Sequence, residues 1–266
     1  PMTPQQRCKL TSLSDRRAEI IVPGALILQT TMQMLGVKNL VLSERSLREG
    51  LIVDWMFRYG LLEDRFSYQS TIRQRTVLHQ AQRFLVDSQR AERVAKYALS
   101  FYQQTAGLIH DDDGEGTDLL WAAAMLHNCG KLINISSYHK HSWYLIRHSE
   151  LLGYSHSEHL MVAAIARYHR KSLPKNRHEA WQSIPSSSHR KIVNQMSLLL
   201  RLASSIDRRP NQSVASIRVS ADSSMLIIEL HAEREDLDLT LEKWSLNGCG
   251  KALMELTGLE LSVVVK

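Results

Sequence analysis

His127-Asn128 stands where a strongly apolar stretch, Leu119 to Asn128, runs out. An imidazole beside an oxygen-bearing side chain can hold one side of a divalent metal ion if other helices supply further ligands. His79, in the middle of an earlier helical stretch, and Asp207, just past Leu202-Ala203-Ser204, are of the right type. The set His79, His127, Asn128 and Asp207 is a candidate for magnesium or manganese, which lowers the pKa of a bound water and orients a phosphate ester. Asn128 weakens the set, because a neutral amide lacks the charge and the second oxygen of a carboxylate. The bland alternative for His127 is a hydrogen-bonded core histidine.

A second constellation follows in the chain: Tyr138-His139-Lys140-His141-Ser142, Arg147-His148 and Arg167-Tyr168-His169-Arg170-Lys171, with Lys131 ahead of them. Between Lys131 and Lys191 there are ten Lys and Arg against three acids, and eight of the twelve histidines. Arg forks and Lys point charges are the natural partners of phosphate oxygens. Lys131, Lys140, His141, Arg147, Arg167, His169, Arg170 and Lys171 are therefore the candidate phosphate ligands. A solvated face is the competing reading, but such faces mix both signs, and acids are scarce here. From Asp222 to Glu260 the balance reverses, to nine acids against three bases, so the net charge of +6 is unevenly spread. A polyanion is the expected partner. Nucleic acid is disfavoured: Trp143, Tyr144 and Tyr168 fall at helical spacing, and no zinc-finger or strand-stacking motif is present. No Gly-rich phosphate loop and no GxSxG elbow occurs in these residues.

Elements able to position these groups can be read from the apolar spacing. With 266 residues and 44% hydrophobic content the chain can bury a sizeable core. Three dispersed cysteines, Cys8, Cys129 and Cys249, suit a reducing, cytoplasmic setting. No signal segment is apparent and no apolar run approaches the roughly 20 residues of a membrane span, so no membrane partner is expected. A first residue of Pro1 leads to the expectation of an altered start or an internal piece of a longer protein. Residues 14–35 read as helix interrupted at Val22-Pro23-Gly24, and Lys38 to Leu42 as a short strand. Ser46-Leu47-Arg48-Glu49 is a capping box opening a helix to about Tyr59. From Tyr68 to Ser205 the pattern is helical. Ile72, Leu78, Ala81 and Leu85 mark one face; Ser88 and Thr117 are candidate caps; Gly130 is a candidate helix stop; further helices are expected near 139–149, 157–170 and 188–205. Val214–Ser220 and Met225–His231 alternate as strands, 241–256 reads as one helix ended by Gly258, and Leu259–Val265 is a third strand.

These residues resemble a known family. Leu126-His127-Asn128-Cys129-Gly130-Lys131 is similar to the LHD(I/V)GK turn of HD-domain phosphohydrolases, with Asn for Asp. His139-Lys140-His141-Ser142, Tyr144-Leu145-Ile146, Leu152-Gly153, the run Ala166 to Lys171, and Leu200-Arg201-Leu202-Ala203 with Ile206-Asp207-Arg208 resemble the C-terminal half of the exopolyphosphatase / guanosine pentaphosphatase family. Arg16 to Ala25 and Leu47-Arg48-Glu49-Gly50 resemble the end of that family's actin-like phosphatase module. The resemblance implies a mainly α fold with a small α+β part. Its expected order is a remnant of the actin-like module over 1–62, a degenerate HD-like helical domain over 63–208 and a small ββαβ domain over 209–266. It implies polyphosphate binding that supports processive hydrolysis by an N-terminal actin-like phosphatase module, whose Gly-rich loop and catalytic acid are absent from these residues. Family dimers and dependence on magnesium and potassium are implied with it. Whether the chain is itself an enzyme stays open; the rival reading is a stand-alone HD-type metal phosphohydrolase acting on a nucleotide or phosphoester.

Overall fold

The computed structural model describes residues 2–9, 13–40, 46–58, 72–111, 114–184, 186–222, 224–234 and 236–266. The chain divides into two compact units, Pro1–Asp64 and Arg65–Lys266.

The first unit is helical among its described residues. α1 (Pro4–Cys8) opens on a Thr3/Gln6 capping box and packs on α2 (Asp15–Leu35), where an Arg7 guanidinium N–H donates to the Ala18 carbonyl at 2.6 Å. α2 runs unbroken through Pro23, where the sequence suggested an interruption. Proline removes one N–H from the ladder, but this stretch of α2 is exposed, so the freed carbonyl at Glu19 faces water. Gly36, at φ 66°, closes the helix, with the Val37 N–H returning to the Met32 carbonyl at 2.9 Å. By length and composition alone α2 could cross a bilayer: 21 residues, mean hydropathy 1.3. This corrects the expectation that no such run exists. Gln29, Thr30, Thr31 and Gln33 break the apolar pattern to the eye, yet no charge occurs from Ile20 to Val37. The strand expected at Lys38–Leu42 is not formed at 38–40; its last two residues lie outside the described residues. α3 (Leu47–Arg58) begins as expected, with Ser46 and Glu49 exchanging capping hydrogen bonds of 3.0 and 3.4 Å.

The second unit is a helical bundle carrying a small sheet. Its helices are α4 (Ile72–Arg83), α5 (Ser88–Gln104), α6 (Glu115–Leu126), α7 (Tyr138–Arg147), α8 (His156–Tyr168), the short α9 (Glu179–Gln182) and α10 (Ser187–Ile206), with a 3-10 turn at Cys129–Leu132. α6, α8 and α10 bury long apolar runs, Leu119–Leu126 except the partly exposed Trp121, Met161–Ala166 and Leu198–Leu200, which makes them the centre. α5 packs on α6 and α10 through Ala91, Val94, Ala98 and Phe101. Local signals shift by a residue or two from the sequence reading. Asp87 rather than Ser88 caps α5, and α6 starts at Glu115 after Gly114, whose φ of 75° supplies the entry turn in place of a Thr117 cap. α4 buries Thr76, Val77, Gln80 and Ala81, whereas Ile72 and Leu85 are exposed. Two of those buried positions are polar because the Thr76 hydroxyl and Gln80 amide both donate to the Glu150 carbonyl, at 3.0 and 3.2 Å.

β1 (Val214–Ala221) pairs antiparallel with β2 (Met225–Ala232), and β2 pairs parallel with β3 (Glu260–Val265), giving the order β1-β2-β3. A parallel pair needs a crossover. It is made by two helices, α11 (Thr240–Asn247) and α12 (Gly250–Thr257), where the sequence suggested one. The break falls at Gly248-Cys249, and Gly258 at φ 76° ends α12 as its type predicts. β1 docks on α5: the Tyr97 hydroxyl donates to the Val214 carbonyl, and the Gln104 amide spans the Ile217 carbonyl and the Val219 N–H at 3.1 and 2.8 Å. α11 packs on α10. The second unit is thus mainly helical with a small three-stranded sheet.

Candidate functional site

The site begins at the turn after α6. His127 sits at the helix end, and the 3-10 turn carries Gly130 and Lys131. A single buried hydroxyl fastens this turn to α7. Ser142 Oγ donates to the His127 carbonyl at 2.7 Å and accepts from the Gly130 N–H at 2.9 Å. Ser142→Ala is expected to cost about 1–3 kcal/mol, because it strands a buried donor and a buried acceptor together. A lowered urea midpoint at unchanged slope would register it.

Two buried histidines meet beneath the turn. His127 and His169, the latter just past the end of α8, lie with ring centroids 5.1 Å apart, edge to face. Each sends Nδ1 to the carbonyl three residues earlier, Ala124 and Ala166, at 2.6 Å. A carbonyl only accepts, so both Nδ1 atoms carry the proton and both Nε2 atoms present a lone pair. Nε2 of His169 accepts from the Tyr138 hydroxyl at 3.1 Å. Burial, reinforced for His127 by Lys131 and Arg90, lowers its pKa to about 4; burial and neighbouring His127 hold His169 well below the usual value. Both rings are neutral at physiological pH.

They open onto a cleft of about 660 Å³ between the bundle and the crossover helix α11. Among the described residues its cations are Arg90, Lys131, Arg170, Lys171, Arg201 and Arg208, and its one lining carboxylate is Asp207. Lys131 Nζ and Arg170 Cζ lie 5.1 and 4.6 Å from the Tyr138 ring centroid, which holds two cations on one aromatic plate. The Lys131 side chain reaches solvent, yet desolvation at its head and the fields of Arg90 and Arg170 lower its pKa. Lys171 adopts φ 62°, an uncommon conformation for a side-chain-bearing residue. Arg201 donates to the Tyr168 carbonyl at 2.9 Å, and its Nε is buried with no partner among the described residues. The chemistry on offer is the capture of an anion with several charged oxygens.

Of the residues singled out in the sequence, Lys131, His169, Arg170, Lys171, His127, Asn128 and Asp207 line this cleft. Lys140, His141, Arg147 and Arg167 do not; Arg147 is ion-paired with Glu179. His79 is exposed on α4, away from the cleft lining. The metal-ligand set is therefore not brought together. Asp207 is moreover taken: its two carboxylate oxygens meet Arg90 Nε at 2.7 Å and Arg93 Nε at 2.9 Å, and Arg90 also donates to its main-chain carbonyl at 2.5 Å. Two guanidinium groups stand against the one carboxylate that a metal would need, and Asn128 cannot replace it. Among the described residues no group of three His, Cys, Asp or Glu could hold a metal ion. These residues do not fit a divalent cation.

Sequence reasoning missed Arg90, Arg201, Arg208 and Trp244 as part of the cleft. Arg201 did leave a signal: it is the lone charge inside the apolar run Leu198-Leu199-Leu200-Arg201-Leu202-Ala203. Arg90 lies on a different helix from the basic block and has no local marker.

Residues 72–256 match the family model described as Ppx/GppA phosphatase, domain III, and residues 1–59 match that of the Ppx/GppA phosphatase family. The chain belongs to the Ppx/GppA phosphatase family. Every residue lining the cleft falls within the part matched as Ppx/GppA domain III. Relatives include the guanosine-5'-triphosphate,3'-diphosphate pyrophosphatase of Pseudoalteromonas translucida (strain TAC 125), 34% identical over 166 residues, which are 62% of this chain and 32% of the relative. The protein of the same description from Vibrio vulnificus (strain YJ016) is 27% identical over 232 residues, 86% of this chain and 43% of the relative. The chain thus spans about a third to two fifths of the length of these Ppx/GppA relatives.

Proposed function

We propose that the second unit is the polyanion-binding part of a Ppx/GppA phosphatase, and that its cleft takes inorganic polyphosphate. In this reading the bundle is a degenerate HD-like domain over 63–208 followed by the sheet-bearing 209–266. Residues 1–62 are then the end of an actin-like phosphatase module, and hydrolysis is carried out by a part of the protein outside these residues. The observation that carries the reading is six cations around one cleft whose single carboxylate among the described residues is already bound to two arginines. Lys131, Arg170, Lys171, Arg201 and Arg208 have no ion pair among the described residues, so their charge is available to phosphate oxygens. Arg90 keeps part of its fork beyond Asp207.

Calorimetric titration of the chain with polyphosphate at stepped salt tests this. The logarithm of affinity should fall linearly with the logarithm of salt, as phosphates displace their counterions. Lys131→Ala with Arg170→Ala should weaken binding at least about tenfold and reduce that slope by about two. A salt-independent affinity, or one untouched by the pair of substitutions, overturns the proposal.

One observation favours a second ligand. Trp244, 68% exposed, lines the cleft opposite the bundle, and a bare indole is a stacking surface for a nucleobase. The relatives' description names a guanosine carrying phosphates at both ends. If that ligand occupies this cleft, it should compete with polyphosphate, and Trp244→Ala should weaken it while leaving polyphosphate unchanged.

A further inference from the structure

The cleft sets one amine apart from the other lysines. Lys131 leaves the 3-10 turn with its Nζ 5.1 Å from the Tyr138 ring centroid, and the Arg170 guanidinium lies against the same ring at 4.6 Å. The two cations are thus neighbours. Among the described residues no carboxylate is ion-paired with Lys131, and Asp207, which shares the cleft, is turned to Arg90 and Arg93. Lys191, Lys251 and Lys266 differ: each meets a carboxylate, of Asp111, Glu255 and Glu229.

An ammonium is poorly served in that position. Desolvation, then the fields of Arg90 and Arg170, lower the Lys131 pKa, and Asp207 and Asp87 oppose them only in part. A lysine drawn partly out of water beside other cations keeps more of its neutral form, whose lone pair is a nucleophile. The neighbours that depress its basicity are also the groups that grip phosphate oxygens. An anchor for phosphate and an amine able to attack therefore stand side by side. Phosphorus within polyphosphate is shielded by its own anionic oxygens, so the amine's natural target is a carbon electrophile that carries a phosphate. An acyl phosphate joins the two, a dianionic phosphate and an activated carbonyl in one small molecule.

We propose that Lys131 is a self-acylation site for small acyl phosphates, with Arg170 holding the phosphate while the Lys131 amine takes the acyl group. Nζ forms a bond to the acyl carbon, and the bond from that carbon to the phosphate oxygen breaks. The electron pair leaves with orthophosphate, which also takes the proton that the nitrogen releases. The product is a neutral amide, so one positive charge disappears from the cleft. Acylation then weakens polyphosphate binding, a consequence that rests on the cleft being the polyphosphate site.

The full chain is incubated with acetyl phosphate, and acetylation of each lysine is followed by peptide mass spectrometry. Lys131 should be modified at least about tenfold faster than the exposed Lys140 and Lys251. Inorganic pyrophosphate should protect Lys131 and not Lys251. Arg170→Ala, checked for native circular dichroism, should slow Lys131 and leave Lys251 unchanged. Acetic anhydride, which carries no phosphate, should show a smaller preference that pyrophosphate does not alter. No preference for Lys131, or a preference that either pyrophosphate or Arg170→Ala leaves intact, overturns the site. The acetylated chain and Lys131→Gln should both bind polyphosphate with the salt slope reduced by about one. Selective acetylation that leaves polyphosphate affinity untouched would count instead against the cleft as the polyphosphate site.

Discussion

Gly130→Ala is expected to destabilise the second unit by about 3 kcal/mol or more, at the upper end of what overpacking costs. An added Cβ would stand 2.1 Å from the Tyr138 carbonyl oxygen, 2.3 Å from the Ser142 nitrogen and 2.8 Å from His141 Cβ. Two of the three obstacles are backbone, so no rotamer change relieves them. α7 would have to back away from the turn, which also stretches both hydrogen bonds through the Ser142 hydroxyl. Lys131, Tyr138 and the α8 end hang on this junction, so any affinity of the cleft for the proposed polyanion should fall with stability. Urea denaturation checks the first effect; a midpoint within error of the native chain would contradict the packing described. The sequence reading assigned Gly130 the role of a helix stop, which calls for positive φ. The structure gives positive φ to Gly36, Gly107, Gly114, Gly153 and Gly258, and not to Gly130. Space rather than conformation requires glycine here.

Mild acid should destabilise the protein steeply, with the histidines responsible. His127 and His139 have folded pKa values near 4, and His169 lies well below its usual value, in each case chiefly through burial. In the unfolded chain each titrates near 6.5. The unfolded state therefore binds more protons once the pH drops below that value. The stability contributed by neutral, buried imidazole is complete above about pH 6.5 and is lost as pH falls toward 4. For His127 alone the loss is on the order of 3 kcal/mol across the window. Denaturation midpoints between pH 7.5 and 4.5 should fall, and His127→Gln should flatten part of the curve. Imidazole nitrogen shifts give an independent reading: His127 should remain Nδ1-protonated and neutral at pH 5. A flat stability profile, or a charged His127 at that pH, would refute the account.

The extent to which the fold was legible follows from what each signal measures. Apolar periodicity reports burial of one face, and so it located α7, α8, α10 and the three strands to within a few residues. It does not report which helix pairs with which. Asp207 was singled out as a metal ligand from its position after α10, but its true partners, Arg90 and Arg93, lie 117 and 114 residues away. Nothing local announces them. The basic block was legible as charge, but its division was not. Arg167 and Arg170 are three residues apart, yet Arg170 lines the cleft and Arg167 stacks outside it, because α8 ends between them. Pro23 misled for a different reason. Its ring still crowds the preceding turn, but the carbonyl it leaves without a donor is in an exposed stretch of α2, so the loss falls short of breaking the helix.

One carboxylate shared by two guanidinium groups leaves the Arg90–Arg93–Asp207 triad with a surplus positive charge. Arginine keeps its proton through any pH a cell reaches. The attraction this triad lends to the cleft is thus written into the polypeptide: a chelator cannot strip it, and scarcity of an inorganic ion cannot starve it.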